Sequence, residues 1–176
     1  MALNLSTDTP ASLEERVASL FDRWSDSIFR YLTSSGADAG EAEEITQETF
    51  FRLFRTLHSG KEIENASAWL FRVAHNLSID RSRRVTPLST ALPDVAQQAE
   101  EKPDPHPTPE TLFLDNERMA RLERAVRSLT AMQRNCLNLR AEGFRHREIA
   151  EVLGVSLSSV ADALRRALTR LTKEPE

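Results

Sequence analysis

Apolar residues recur at three- and four-residue intervals along most of this chain, the period of a helix with one buried face, and runs of strict alternation are scarce. The first such stripe is Leu13, Val17, Leu20, Phe21, Trp24, Ile28 and Leu32, opened by Ser12 and Glu15 at the spacing of a capping box. A second helix is expected from about Asp38 to Leu57, with Ala42, Ile45, Thr49, Leu53 and Leu57 in register. The segment around Gly60 breaks the pattern. Asn65 or a neighbour then starts a third helix whose apolar side is Trp69, Leu70, Val73 and Leu77. Further on, Leu112 to Leu129 carries Met119, Leu122 and Val126 inward, and Thr130 with Gln133 forms a second capping box, opening a helix that ends near Gly143.

The last two elements carry the strongest signal. Ile149, Ala150 and Leu153 mark one face of a short helix, and Gly154 supplies a turn that tolerates positive φ. Ser156 caps a second helix with the stripe Val160, Leu164, Leu168 and Leu171. Ala150 is small enough to sit where two steeply crossing helices touch. This is the spacing of a helix-turn-helix, whose second helix would offer Ser158, Ser159, Asp162, Arg165, Arg166 and Arg170 to a major groove and its flanking phosphates. An ordinary helical hairpin with a solvated basic face has the same periodicity.

Composition changes this picture in one place. Six of the eight prolines (Pro87, Pro93, Pro103, Pro105, Pro107 and Pro109) fall in TPLSTALPDVAQQAEEKPDPHPTPE. A packed helix does not survive that density, so the segment reads as an extended acidic linker between two lobes. The expected organisation is all-α: an N-terminal tail at 1–11, a helical domain at 12–84, a linker at 85–110 and a helix-turn-helix domain at 111–176.

The overall charge of −4 argues against nucleic acid only until it is divided. From Thr111 onward there are twelve basic and nine acidic residues, whereas the linker has one basic and five acidic ones. The acidity is segregated from the helix-turn-helix. Cys136 is the single cysteine, and His58, His75, His106 and His146 are scattered, so neither a disulfide, a metal site nor a cofactor is implied. Nothing approaches a membrane span or a signal peptide, and the expected location is cytoplasmic.

Two further helical faces suggest partners. On the third helix Arg72, Asn76, Asp80, Arg83 and Arg84 fall together opposite the apolar side, flanked by His75 and Arg81. A basic face carrying an amide suits a nucleic-acid backbone and an exposed base. Trp69 either stacks a base or packs in the core, and core is the commoner fate of a tryptophan on an apolar stripe. On the second helix, Phe50, Phe51 and Phe54 cannot all be buried together with Ile45 and Leu53 in one small core, which leaves apolar surface for a partner. The adjacent Glu43 and Glu44 diverge around the helix and do not form an acid–base pair.

The segments AEEITQETFFRLFR, AWLFRVAHNLSIDRSRR and LTAMQRNCLNLRAEGFRHREIAEVLGVSLSSVADALRRALTRL together resemble regions two and four of bacterial sigma factors of the extracytoplasmic-function group. The resemblance spans both lobes in the right order. It implies a non-enzymatic subunit that joins core RNA polymerase and recognises promoter DNA, with an anti-sigma factor as a further candidate partner. It implies that Glu44, Gln47, Phe50 and Leu53 lie on the helix that docks on the polymerase clamp. Arg72, Asn76, Asp80 and Arg81, with His75, Arg83 and Arg84 beside them, match the helix at the melted minus-ten element. The loop from Ser59 to Ser67 matches the one that captures a flipped base. Arg145, Ser156, Ser158, Ser159, Asp162, Arg165 and Arg166 fall in the part matching the minus-thirty-five reader. The linker is then expected to thread the polymerase cleft, where its acidity would mimic nucleic acid.

The chain departs from the family pattern at Arg145, where Ser or Thr is usual and would complete a cap with Glu148, and in SVADAL, where a basic residue is common near Ala161 and an arginine at Ala163 but Asp162 stands here between two alanines. A free-standing helix-turn-helix regulator and a helical protein-interaction module are the competing architectures.

Overall fold

The computed structural model describes residues 12–85 and 124–172. The expected linker and most of the expected Leu112–Leu129 helix lie outside them, as does the N-terminal tail. The described residues contain helices and no strand. In chain order these are α1 (Leu13–Ser34), α2 (Ala39–His58), α3 (Ala66–Val85), α4 (Ala131–Ala141), α5 (His146–Leu153) and α6 (Leu157–Thr172), with a further helical stretch at 124–127.

Local chemistry sets the boundaries. Ser12 and Glu15 form the capping box of α1, with Glu15 N–H donating to Ser12 Oγ at 3.2 Å and Ser12 N–H to Glu15 Oε2 at 2.8 Å. Asp38 caps α2 through Glu41 N–H at 2.8 Å. Asn65 caps α3 by accepting from Ala68 N–H at 3.0 Å, and Thr130 with Gln133 closes the second box at the start of α4. Each contact satisfies amide groups that a helix start leaves without partners.

The C-terminus of α4 decides more than its own length. Gly143 adopts φ 92°, a left-handed conformation costly for residues with a Cβ. The turn then closes as a Schellman motif, with Phe144 N–H donating to the Leu139 carbonyl and Gly143 N–H to the Arg140 carbonyl, both at 3.1 Å. This motif swings Phe144 back under the helix.

The N-terminal lobe, α1 to α3, is built around rings. Phe71 is fully buried and meets Tyr31 (5.5 Å between centroids) and Trp24 (6.1 Å) edge-on. Ile28, Leu32, Ile45, Leu53 and Leu70 fill the space between. The buried side of α3 is Leu70, Phe71 and Ala74, with Trp69, Val73 and Leu77 only half-buried. The expected stripe was therefore rotated by one position. The contiguous run Trp69-Leu70-Phe71 fixes no helical phase on its own, and the aromatic pairing with α1 selects Phe71.

The C-terminal lobe, residues 124–172, packs aliphatic side chains: Leu139, Ile149, Val152, Val160, Ala163, Leu164 and Ala167. Leu168, expected inward, is exposed. Successive helical residues turn by about 100°, so seven positions from Val160 return almost to its face while eight overshoot by about 80°. Ala167 takes the inward place. Arg170, expected outward toward DNA, instead donates to the Ser128 carbonyl at 2.6 Å and ties the end of α6 to the start of α4.

The two lobes share one apolar cluster. Helix α5 packs on α3 and α4 on α1, and Phe144 crosses the boundary to lie 5.0 Å from the Phe71 ring and 6.5 Å from Trp24.

Candidate nucleic-acid interface

Helices α5 and α6 form the expected helix-turn-helix. Gly154 makes the turn at φ 65°, with Val155 N–H donating to the Ala150 carbonyl at 3.0 Å. Ser156 caps α6 through Ser159 N–H at 3.1 Å and also hydrogen-bonds the hydroxyls of Ser158 and Ser159. A cluster of three hydroxyls therefore stands at the exposed start of α6, where N–H groups and the helix dipole favour an anion. Further along, the Asp162 carboxylate pairs with Arg165 and holds Arg166 Nε at 2.7 Å. Two guanidinium groups share one carboxylate, so the trio keeps a net positive charge and both arginines are held on the outer face.

Among the departures, Ala163 is buried against the lobe's own core, while Ala161 is exposed. Alanine at 163 therefore serves packing. Arg145 stands at the start of α5 without a side-chain cap bond, because a guanidinium has no acceptor. Glu148 supplies the other half, its Oε2 accepting Arg145 N–H at 2.7 Å.

On α3 the side chains of Arg72, Asn76, Asp80 and Arg83 are all exposed, in one row at three- and four-residue steps. Arg81 is half-buried and ion-paired with Glu44 of α2. His75 is turned inward, its Nδ1 2.8 Å from the Tyr31 hydroxyl, and burial lowers its pKa below the ordinary 6.5. The side chain of Arg84 lies outside the described residues.

The α2 face needs correction. Phe50 and Leu53 are buried, Phe50 meeting Phe21 edge-on at 4.9 Å, because positions 42, 45, 46, 49, 50 and 53 all face inward. Neither presents a surface to a partner. Among the exposed residues, Glu44, Gln47, Phe51 and Arg55 form one stripe, with the Arg55 guanidinium 5.8 Å from the Phe51 ring centre. Phe51 is the aromatic that the crowding argument left over, and only its phase was missing from the sequence. Asn65, Trp24 and Phe144 were not singled out as functional, and the one available signal was an aromatic placed directly after the helix-ending Gly143.

Among the described residues no group of His, Cys, Asp and Glu is arranged to hold a metal ion, and no helix is long and apolar enough to cross a membrane. Cys136 is buried, which pushes its thiol pKa up to about 11.

Family comparison coincides with this geometry. The sigma-70 region 2 family matches residues 20–86 and the sigma-70 region 4 family matches residues 119–171, together well over half of the chain. The chain belongs to the sigma-70 family. Within it, the similar proteins are of the ECF, or extracytoplasmic-function, group. The ECF RNA polymerase sigma factor SigE of Mycolicibacterium smegmatis is 31% identical over 148 residues, covering 83% of this chain and 56% of SigE. BldN of Streptomyces coelicolor, also an ECF sigma factor, is 30% identical over 162 residues, covering 88% and 58%. The ECF sigma factor RpoE of Cereibacter sphaeroides is 28% identical, covering 90% and 85%. This sigma-70 chain thus spans a little over half the length of the first two relatives and most of the third.

The sigma-70 fold is shared with the sigma factor RpoE of Bartonella quintana, solved with the anti-sigma factor NepR, at TM-score 0.62 and 18% identity over 90% of this chain and 95% of that one. CnrH, solved with the cytosolic domain of CnrY, matches at TM-score 0.59 and 22% identity, covering 90% and 86%.

Proposed function

We propose that this chain is a promoter-specificity subunit of RNA polymerase: it binds the core enzyme, reads two promoter elements through its two lobes and supports initiation without catalysing a reaction. The observation that carries this reading is the presence, in one sigma-70 chain, of two separate exposed polar helix faces. One is the α3 row Arg72, Asn76, Asp80 and Arg83, and the other is the start of α6 with Ser156, Ser158, Ser159, Asp162, Arg165 and Arg166.

The α3 row contacts the melted minus-ten element, with the 59–67 loop holding an unstacked base. Capture of that base offsets unstacking and favours sequences that open easily. Arg81 and His75 act on this face after leaving the partners they hold within the lobe. The α6 start reads the minus-thirty-five element, with Arg145 on an adjacent phosphate. The exposed α2 stripe of Glu44, Gln47, Phe51 and Arg55 docks on the polymerase. The functional boundaries are 12–84 and 111–176, joined by the 85–110 linker. The protein works in the cytoplasm, and an anti-sigma factor is its candidate regulator.

The test is run-off transcription with purified core polymerase on DNA upstream of the protein's own operon. A promoter-specific transcript dependent on this chain is expected. Absence of both that transcript and core binding at moderate salt would refute the reading. Substituting Arg72 or Asn76 by Ala is expected to impair promoter opening and leave core binding intact. Equal loss of both would show that the α3 face is misassigned.

A further inference from the structure

Helix α6 carries a single carboxylate, Asp162, on the side turned away from its own lobe. Val160 is fully buried. Successive helical residues turn by about 100°, so Ser158, Asp162, Arg165 and Thr169 all fall within about 40° of the direction opposite to Val160. This is the outermost line of the helix, the one that meets base edges when a recognition helix enters a major groove. Ser159 and Arg166 lie on a flank, toward the phosphates.

A carboxylate on that line is unfavourable near phosphates, and α6 compensates it locally. Asp162 is ion-paired with Arg165 through Oδ1 and holds Arg166 Nε at 2.7 Å through Oδ2. Each oxygen is engaged by one guanidinium and retains a second acceptor site. The side chain is 41% exposed between two more exposed arginines, so it is open to a ligand rather than packed into the lobe. Two arginines keep the local charge positive, and DNA is still attracted. At the base edges an acceptor then discriminates: carboxylate oxygens take a hydrogen bond from the exocyclic amine of cytosine and are repelled by the carbonyl oxygen of thymine.

We propose that Asp162 is the specificity-determining residue of the α6 reading surface: it selects cytosine at one position of the minus-thirty-five element, and Arg165, which it orients, takes the guanine of a neighbouring base pair. The proposal rests on the promoter reading above and deepens it to named bases. Residues three apart on a helix are separated by about 4.5 Å along its axis, close to the rise of about 3.4 Å between base pairs, so the two side chains reach adjacent pairs. Arg165 presents its remaining N–H groups to guanine O6 and N7 while one is held by Asp162, and a guanidinium fixed in this way loses less rotamer freedom on binding. The departure from a basic to an acidic pattern in this helix is thereby a change of base preference.

The test is transcription by the holoenzyme, assembled from core polymerase and the full chain, on a promoter library randomised through the minus-thirty-five element, each promoter being marked by a barcode in its transcript. Wild type is expected to favour cytosine over thymine at one position, in either strand, by at least about fivefold. Asp162→Ala is expected to lose that preference, and Asp162→Asn, which offers a donor beside its acceptor, to admit adenine there. Arg165→Ala is expected to lose a guanine preference at the neighbouring position and keep the cytosine preference.

Unchanged base preferences in both Asp162 variants overturn the proposal, even if total transcription rises, since Asp162 would then act only through its charge. Loss at the same single position in Asp162→Ala and Arg165→Ala also overturns it, because Asp162 would then only position the arginine. If both Asp162 variants are inactive on every promoter, the wild-type profile decides: adjacent cytosine and guanine preferences support the assignment, and a profile without a cytosine preference overturns it. A wild-type holoenzyme that enriches no minus-thirty-five sequence refutes the promoter reading itself.

Discussion

The two lobes solve the same packing problem with different side chains. The N-terminal lobe centres on Phe71, ringed by Tyr31, Trp24 and, from outside, Phe144. The C-terminal lobe is closed by aliphatics and by the alanines at 163 and 167, which let its helices approach without large side chains between them. Rings bury much area and pair edge-on with further rings, so Phe71 accepts Phe144 as well as its own lobe's Tyr31 and Trp24. The difference makes the N-terminal lobe the receiver and the C-terminal lobe the donor of the contact between them.

The strongest way to break this comparison is at the hub. Phe71→Ala is expected to cost about 3–5 kcal/mol, measured by urea unfolding, because it removes the ring on which both lobes converge. Leu139→Ala, equally buried but within the C-terminal lobe, is expected to cost about 2–5 kcal/mol and to leave the N-terminal lobe's tertiary signal intact. If Phe71→Ala instead leaves the packing of the C-terminal lobe unaltered in every probe, the shared hub is wrong.

A smaller effect separates the two caps. Thr130→Ala removes one side of a complete capping box and is expected to cost about 1 kcal/mol. Arg145→Ser adds the acceptor that α5 lacks and is expected to raise stability by about 0.5–1 kcal/mol, read as an increase in the urea midpoint. No gain would mean that Glu148 alone already satisfies that helix start.

The smallest expected effect concerns pH. Burial keeps His75 neutral in the folded chain, so its folded pKa lies below 6.5 while the unfolded chain titrates near 6.5. As pH falls below that value the unfolded state takes up a proton first, and stability decreases until the folded pKa is passed. Comparing unfolding at about pH 7 and about pH 5, His75→Gln is expected to flatten this decline. An identical decline in both proteins would remove His75 as its source.

How much of this was visible in the sequence follows from the kind of signal involved. Ser12 with Glu15, Thr130 with Gln133, and Gly154 with Ser156 announce helix ends through local chemistry, and each acts as its spacing suggests. Phase is harder where apolar residues are contiguous or small. Trp69, Leu70 and Phe71 satisfy several helical phases, Phe50 and Phe51 differ only in direction, and Ala167 weighs too little in a hydrophobic stripe to displace Leu168. The contact between lobes was not legible, because Ser34 and Asn138 are 104 positions apart and such polar residues resemble any solvated surface.

Energy transfer between dyes at Ser82 on α3 and Thr169 on α6, both exposed, tests the account most directly. On the proposed function, we predict efficient transfer in the free chain and nearly complete loss of it in the complex with core polymerase and promoter DNA, where α3 and α6 would lie about 85 Å apart on elements about 25 base pairs apart, against about 20 Å in the free chain. Equal transfer in the two states, with a promoter-specific transcript still made, would contradict the proposed reading of two promoter elements by two lobes.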